Sequence, residues 1–402
     1  MKSIFHAGTR SRRHAVDRLR RRFPDLYAWL IRHHPAGVML AARDRALTGD
    51  HDGAIRLARR RLGPGQAHAL EILQANHALS TGDRDSWLAH LNAYLAHFSS
   101  APLQLEGGDG QHILTRLSAV PSPAVTGGPL VSVLMPVWNA ERTVAAAARS
   151  ILTQTWRNLE LLVVDDASED GTWAVLQEIA SRDSRVRLRR NRVNVGPYVS
   201  KNIALTEACG QWITGHDADD WAHPGRIAGH VAAATGAGAQ ASVIHMLRIC
   251  PDGSVTRLSR TSENSPDGVA RACFVSCLFD AAFLRERLGH WDSVRFGADS
   301  EIMSRARRLT GRDLPRIPIV GLLCLDLPGS LTNQTRSGMS QATGLSPIRQ
   351  DYRQAFLEWH RSLEAGQGRM PFPLQVRPFP APAGMIVPPE AAAEALAAGA
   401  AA

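Results

Sequence analysis

Aromatic residues make up only 6% of this 402-residue sequence, and its five cysteines (Cys209, Cys250, Cys273, Cys277 and Cys324) are odd in number and never form a CxxC pair. Such scattered thiols exclude a disulfide framework and a thiolate zinc site, and they read as reduced and structural. No stretch approaches the ~18 consecutive apolar residues a membrane-spanning helix needs. No basic stretch near the start leads into an apolar run with a small-residue cleavage site. The expectation is a cytoplasmic protein. Acid is scarce among the first 22 residues, where Lys2, Arg10, Arg12, Arg13, Arg18, Arg20, Arg21 and Arg22 face Asp17 alone. This basic arm, residues 1–28, allows peripheral contact with anionic headgroups at the inner face of a membrane. Without zinc-finger spacing, an aromatic stripe or basic-zipper heptads, it excludes nucleic acid as the partner. GxSxG and HExxH are also missing, which removes the commonest hydrolase chemistries.

What remains is 44% hydrophobic and 21% charged, the balance of a folded enzyme or binder. Residues 29–100 read as helices. Ala46 to Asp52 and Leu79 to Asp85 resemble each other 33 residues apart, near the ~34-residue period of tetratricopeptide units. Each Gly-Asp, Gly49-Asp50 and Gly82-Asp83, is expected to end one helix and cap the next. Two such units are too few to stand alone, so they need support from the following domain or from flanking helices. Residues 101–129, with Gly107-Gly108, Gly110, Pro121, Pro123 and Gly127-Gly128-Pro129, read as a linker. Residues 366–402 are Pro- and Ala-rich and hold few large apolar side chains, which reads as a tail.

Between linker and tail, residues 130–365 alternate strand and helix patterns. Val131 to Pro136 and Leu159 to Asp165 are apolar runs, Glu141 to Gln154 and Asp170 to Arg182 are helical, and the alternation continues through Gln211 to His216. This predicts an α/β domain built on a helix-covered parallel sheet, with its ligand at the carboxyl ends of the strands.

The polar residues at those ends carry the chemistry. The first strand runs into Pro136-Val137-Trp138-Asn139-Ala140-Glu141 and the second into Asp165-Asp166. A carboxylate there can accept from a base imide or a ribose hydroxyl, beside an aromatic stacking face. Asp170 reads instead as part of a helix N-cap. The later strand ends in His216-Asp217-Ala218-Asp219-Asp220-Trp221. Three carboxylates in four positions repel one another unless a hard cation sits among them.

These segments together resemble the inverting glycosyltransferases of family 2, which have the GT-A fold. The resemblance rests on Val131 to Glu141, on Ser150 to Trp156 followed by Leu162 to Ser168, and on Asn194-Val195-Gly196, Lys201-Asn202, Ala208, Gly210 and Asp217 to Asp220. It implies a nucleotide-sugar donor, most often a UDP-sugar, with Pro136, Trp138, Asn139, Glu141, Asp166, Lys201 and Asp217 on the donor and Trp138 and Asp166 near the base. It implies Mn2+ or Mg2+ held by Asp219 or Asp220, to stabilise the diphosphate leaving group. The family's catalytic base falls on Asp299 in Gly297-Ala298-Asp299-Ser300-Glu301, with Ala298 where a Glu is usual and Glu301 as the fallback. Arg336 or His360 is a further candidate to reach the phosphates. The implied reaction is a single inverting displacement onto a hydroxyl of a glycan or lipid-linked acceptor, in cell-surface polysaccharide or glycoconjugate synthesis. The helical repeats would then serve a protein partner. The rival reading is an inactive transferase-like scaffold that binds its partner through those repeats.

Overall fold

The computed structural model describes residues 22, 23, 25, 26, 29, 34–98, 100–107, 113–327, 330, 331, 333, 334, 338–340, 344–364 and 366–398. Most of the basic arm therefore lies outside the described residues. The chain divides into two compact units, residues 1–94 with 255–271, and residues 95–254 with 272–402.

The first unit is helical: α1 (Val38–Ala46), α2 (His51–Arg61), α3 (Leu70–Ser80) and α4 (Arg84–Ala96). The two Gly-Asp pairs punctuate it as expected. Gly49 and Gly82 take positive φ angles of 86° and 80°, and Asp50 and Asp83 accept from the backbone N–H groups of Gly53 and Ser86 at 2.8 and 3.0 Å. The support that two helical hairpins require comes from far along the chain. Asp267 is buried, with Oδ2 accepting from Tyr94 Oη at 2.6 Å and paired with His68 Nε2 at 3.0 Å, while Oδ1 accepts from Val269 N and Ala270 N. Asn76 exchanges two hydrogen bonds with the backbone of Val255. A contiguous 29–100 segment was expected; the unit is discontinuous because the polar stretch 255–271, which has no apolar periodicity, is held by these side-chain bonds.

The second unit opens with a small antiparallel pair, β1 (Leu103–Leu105) and β2 (Leu117–Ala119), inside the expected linker. Then come β3 (Val131–Val137), α5 (Val144–Leu152), β4 (Leu159–Asp165), α6 (Thr172–Arg182), β5 (Val186–Arg190), α7 (Pro197–Glu207), β6 (Trp212–Gly215), β7 (Asp220–Ala222), α8 (Arg226–Gly236) and β8 (Ala241–Ile249). The chain continues through β9 (Leu278–Asp280), α9 (Ala298–Thr310), β10 (Arg316–Leu325), α10 (Pro347–Ser362) and α11 (Pro389–Ala398). The main sheet runs β5-β4-β3-β6-β9-β8-β10-β7. Its opening half, β5 to β6, is parallel; β9 and β7 run antiparallel to their neighbours. Residues 131–137 and 159–165 are buried along their whole length, as strands covered on both faces must be. The α/β class expected from the sequence is the class observed.

Two apolar layers flank the sheet. One gathers α5 and α8, through Val144, Ile151, Ile227 and Val231. The other gathers α7 and α9, and to it belong Phe379, Met385, Val387, Ala392 and Ala395. The expected tail at 366–402 is thereby corrected: Met370, Leu374, Phe379, Met385, Val387, Ala392 and Ala395 are buried in the core. Composition misled because a few widely spaced large residues, such as Leu374, Phe379 and Met385, anchor a stretch otherwise rich in Pro and Ala. Ala392 and Ala395 lie three apart on one face of α11, and Arg189 closes that helix by donating to Ala395 O and Leu396 O.

Candidate active site

A cleft of about 850 Å³ opens at the carboxyl ends of β3, β4 and β6. Pro136, Trp138, Asn139, Glu141, Asp166, Asp217, Asp219 and Asp220 all line it. Lys201 and Asp299 do not.

The loops after β3 and β4 are laced together. Asn139 N donates to Ser168 Oγ and Asn139 Oδ1 accepts from Glu169 N, both at 2.9 Å; Glu141 Oε2 accepts from Gly171 N at 2.7 Å. Asn139 and Ala167 sit at positive φ, 47° and 60°, a conformation costing non-glycine residues about 1 kcal/mol or more. Asn139 and Glu141 therefore shape this wall as well as face the cleft. Trp138 is 58% exposed and lines the cleft. Asp170 accepts from Thr172 N at the start of α6, the capping role expected of it. Of the adjacent pair Asp165 and Asp166, Asp165 turns into the protein, 3.0 Å from Arg190 Nε. Asp166 reaches the cleft, but its oxygens accept from Asn191 Nδ2 (2.8 Å), Val195 N (3.0 Å) and Gly196 N (2.7 Å). Burial pushes its pKa up, and these bonds oppose the shift.

The acidic turn rests on a buried cation. Arg226 donates to Thr214 Oγ1 and Gly215 O, and lies 3.3 Å from His216 Nδ1, whose other ring nitrogen faces Ser150. Burial and Arg226 depress the His216 pKa well below its usual value. This imidazole is a neutral strut rather than a ligand. The backbone passes so close here that a Cβ on Gly215 would meet Val275 O at 2.4 Å. Beyond it the three aspartates diverge. Asp220 is buried, accepting from Cys324 Sγ at 3.0 Å and Leu325 N at 3.2 Å. Burial, Asp219 and Asp217 drive its pKa well up. The Asp219 carboxyl is pushed up to about 6 by burial and by Asp217. Asp217 is 37% exposed. Mutual repulsion of this kind is what a hard cation relieves, and the oxygen-only donor set of Asp217 and Asp219 fits Mn2+ or Mg2+ with remaining positions left to phosphate and water. Asp220, spent on β10, is the poorer ligand. Among the described residues no group of three or more potential ligands has the geometry of a preformed metal cage.

Lys201 was expected on the nucleotide. It is instead buried, its Nζ 3.7 Å from Asp217 Oδ1 and 3.7 Å from Asp299 Oδ1. Burial alone would lower its pKa, yet Asp299 and Asp217 hold it above the ordinary lysine value. Asp299 sits in the first turn of α9, where the helix N-terminus favours a negative charge. Its Oδ2 accepts from Tyr198 Oη at 3.0 Å and its Oδ1 from Trp291 Nε1 at 3.2 Å. Burial raises its pKa, and Lys201 opposes the rise. Ala298, at the usual Glu position, is in the core. Glu301, the fallback base, is fully buried and engaged by both Arg305 and His360 Nε2. Glu301 and His360 are thus structural, which corrects the expectation that His360 reaches the phosphates. Arg336 lies outside the described residues, although Ser330, Leu331 and Gln334 of the same stretch line the cleft.

Sequence reasoning missed Tyr198 and Trp291, which donate to Asp299, and Arg248 and Arg295, which line the cleft. Tyr198 had a signal, since it precedes Lys201 by three residues on one helix and so shares its face. The other three had none, because only the fold brings them to the cleft or to Asp299.

Residues 132–281 match the family described as Glycosyl transferase family 2. The chain carries a family 2 glycosyltransferase domain. The UDP-Glc:alpha-D-GlcNAc-diphosphoundecaprenol beta-1,3-glucosyltransferase WfgD of Escherichia coli is 44% identical to this glycosyltransferase domain over 91 residues, 23% of this chain and 35% of WfgD. The succinoglycan biosynthesis protein ExoO of Rhizobium meliloti is 34% identical over 141 residues, 35% of this chain and 40% of ExoO. The chain thus spans well under half the length of these relatives. Among solved structures, S. aureus TarS in complex with UDP superposes with a TM-score of 0.41 at 19% identity, covering 49% of this chain and 61% of that one. The glycosyltransferase domain is α/β, and helices precede it in the chain.

Proposed function

We propose that the protein transfers a sugar from a nucleotide-diphosphate donor, a UDP-sugar, to a hydroxyl acceptor with inversion at the anomeric carbon. The observation that carries the reading is a single cleft that joins Trp138 and Asp166 to Asp217 and Asp219, with Asp299 linked to Asp217 through Lys201. Asp219 and Asp217 would hold a divalent cation, which supplies charge stabilisation to the departing diphosphate. Trp138 and Asp166 bind the nucleoside end.

Asp299 is the base. As the acceptor oxygen attacks the anomeric carbon, its proton passes to the Asp299 carboxylate and the bond from carbon to the phosphate oxygen breaks. The centre passes through oxocarbenium-like character without a covalent enzyme intermediate. A buried carboxylate makes a better base than an exposed one provided it stays ionised, and Lys201, Tyr198 and Trp291 favour the ionised form. WfgD is named for a lipid-diphosphate-linked acceptor and a UDP-glucose donor. An acceptor of that class, in cell-surface polysaccharide synthesis, suits a chain with a basic arm in which no described helix is long and apolar enough to cross a membrane. On this reading the helical unit orients the transferase toward its acceptor or binds a protein partner.

The test incubates the full chain with Mn2+, a panel of radiolabelled UDP-sugars and a bacterial lipid extract, in parallel with Asp299→Asn. Label moving into lipid or glycan with the wild type and not with the variant supports the reading. No transfer from any UDP-sugar by the wild type, or equal transfer by both proteins, counts against it.

A further inference from the structure

The two units divide the charge of the chain unequally. Residues 1–94 with 255–271 hold 19 Lys and Arg against 10 Asp and Glu, and the rest of the chain holds 27 of each kind. The whole formal charge of +9 therefore lies on the helical unit, and the unit that contains the cleft is neutral. A net charge concentrated in this way draws the unit to an anionic surface and does little for its fold. Its cations also face outward: Arg22 is exposed, as are Arg56, Arg59, Arg60 and Arg61 on α2.

Charge alone does not name the partner; the residues that follow the basic run do. Arg18, Arg20, Arg21 and Arg22 lead into Phe23-Pro24-Asp25-Leu26-Tyr27-Ala28-Trp29, where Asp25 is the single acid. Phe23, Leu26 and Trp29 are 51%, 48% and 55% exposed. Leu26 and Trp29 are helical and three residues apart, a spacing that puts both side chains on one face. The Arg22 guanidinium lies 5.8 Å from the centre of the Phe23 ring, so charged and apolar groups share one surface. Elsewhere in this unit the large apolar side chains, such as Met39, Ile72, Leu73, Trp87 and Leu91, are buried.

The pairing of cations with exposed apolar side chains separates the classes of polyanion. A nucleic acid engages arginines through its phosphates and has no apolar depth to take up a leucine. An anionic bilayer surface offers phosphate to the guanidinium groups and, ~5–10 Å deeper, acyl chain to Phe, Leu and Trp. Tryptophan is enriched at that boundary because its ring is apolar with one polar edge.

We propose that the helical unit is a membrane-docking module: Phe23, Leu26 and Trp29 enter the interface of an anionic phospholipid surface, and the arginines beside them hold its headgroups. The inference goes beyond the reading of the cleft and stands without it, since it concerns the other unit and no step of sugar transfer.

The experiment is sedimentation of the full chain with phosphatidylcholine vesicles, with and without phosphatidylglycerol. It compares the wild type with a combined Phe23→Ser, Leu26→Ser, Trp29→Ser variant and a combined Arg20→Gln, Arg21→Gln, Arg22→Gln variant. The wild type should bind the vesicles that contain phosphatidylglycerol, bind neutral ones far more weakly, and lose affinity as salt rises. Each combined variant should lower the partition coefficient ~10- to 100-fold. A conservative Phe23→Leu, Trp29→Phe variant should bind like the wild type, which separates lost insertion from lost folding. Wild type that stays in the supernatant with both kinds of vesicle overturns the inference. Full binding by the serine variant overturns it too, since attraction of charge alone would then suffice, as does tighter binding of the wild type to an RNA oligonucleotide than to the vesicles. UDP calorimetry on the same samples reads the cleft separately: vesicle binding without UDP binding would sink the cleft reading and support this one.

Discussion

Residues 131–222 and residues 291–398 belong to one unit, yet they encode their parts differently. In the first stretch each strand ends in its own functional loop, so Trp138, Asp166, Asp217 and Asp219 are reached by following the chain outward from a buried run. In the second, position is set by contacts distant in sequence. Asp292 is fixed by Tyr352 and Arg377, Ser293 O and Arg295 N pair with Val387 and Met385, and Asp299 is held by Tyr198. The first stretch carries its geometry in local pattern, and the second in tertiary packing.

The sharpest way to test that contrast is to change, at constant shape, the group of the second stretch assigned to the chemistry. Asp299→Asn should lower kcat ~100- to 10,000-fold while leaving UDP affinity within about twofold, as measured by steady-state kinetics beside calorimetry. A donor affinity that collapses with kcat would place Asp299 in binding. Next in size is the claim that the C-terminal segment is core. Phe379, buried between Tyr352, Phe356 and Trp359, should cost about 3–5 kcal/mol on Phe379→Ala, read as a drop in denaturant midpoint. A true tail would leave the midpoint unmoved.

These two variants also mark how far the sequence could be read. The parallel opening half of the sheet was legible because Val131 to Val137 and Leu159 to Asp165 are continuous apolar runs ending in polar loops. The Gly-Asp helix caps were legible because φ and capping are local. The core role of residues 371–398 was not, since its buried side chains, among them Leu374, Phe379, Met385 and Ala392, are too widely spaced among Pro and Ala to show a period. Nor was the contribution of 255–271 to the helical unit, which is held by buried Asp267 and by Asn76 on the backbone of Val255. Within the site, Asp166 and Asp217 were recognisable from strand ends, whereas the bridging place of Lys201 depends on Asp299, some hundred residues away.

Smaller effects refine the comparison. Tyr198→Phe removes one hydrogen bond to Asp299 and should reduce kcat ~10-fold with the donor KM unchanged; a purely structural hydroxyl would lower the melting temperature and spare kcat. His230, buried against Ser242 Oγ at 3.0 Å, has its pKa lowered to about 3 by burial and by Arg226. Because the unfolded chain takes up that proton near pH 6.5 and the folded chain does not, the contribution is complete above pH 6.5 and is lost on acidification toward pH 3. Between pH 6.5 and pH 5 the wild type should lose about 2 kcal/mol more than His230→Gln, by urea denaturation at each pH. Equal losses would show that His230 ionises in the folded state.

The central claim is that the strand-end carboxylates form a cation-dependent nucleotide site, and calorimetric titration with UDP tests it most directly. The account predicts that UDP binds in the presence of Mn2+, much more weakly without it, and that Asp219→Ala abolishes the difference. UDP binding of equal strength with and without the cation, or a variant indistinguishable from wild type, would contradict it.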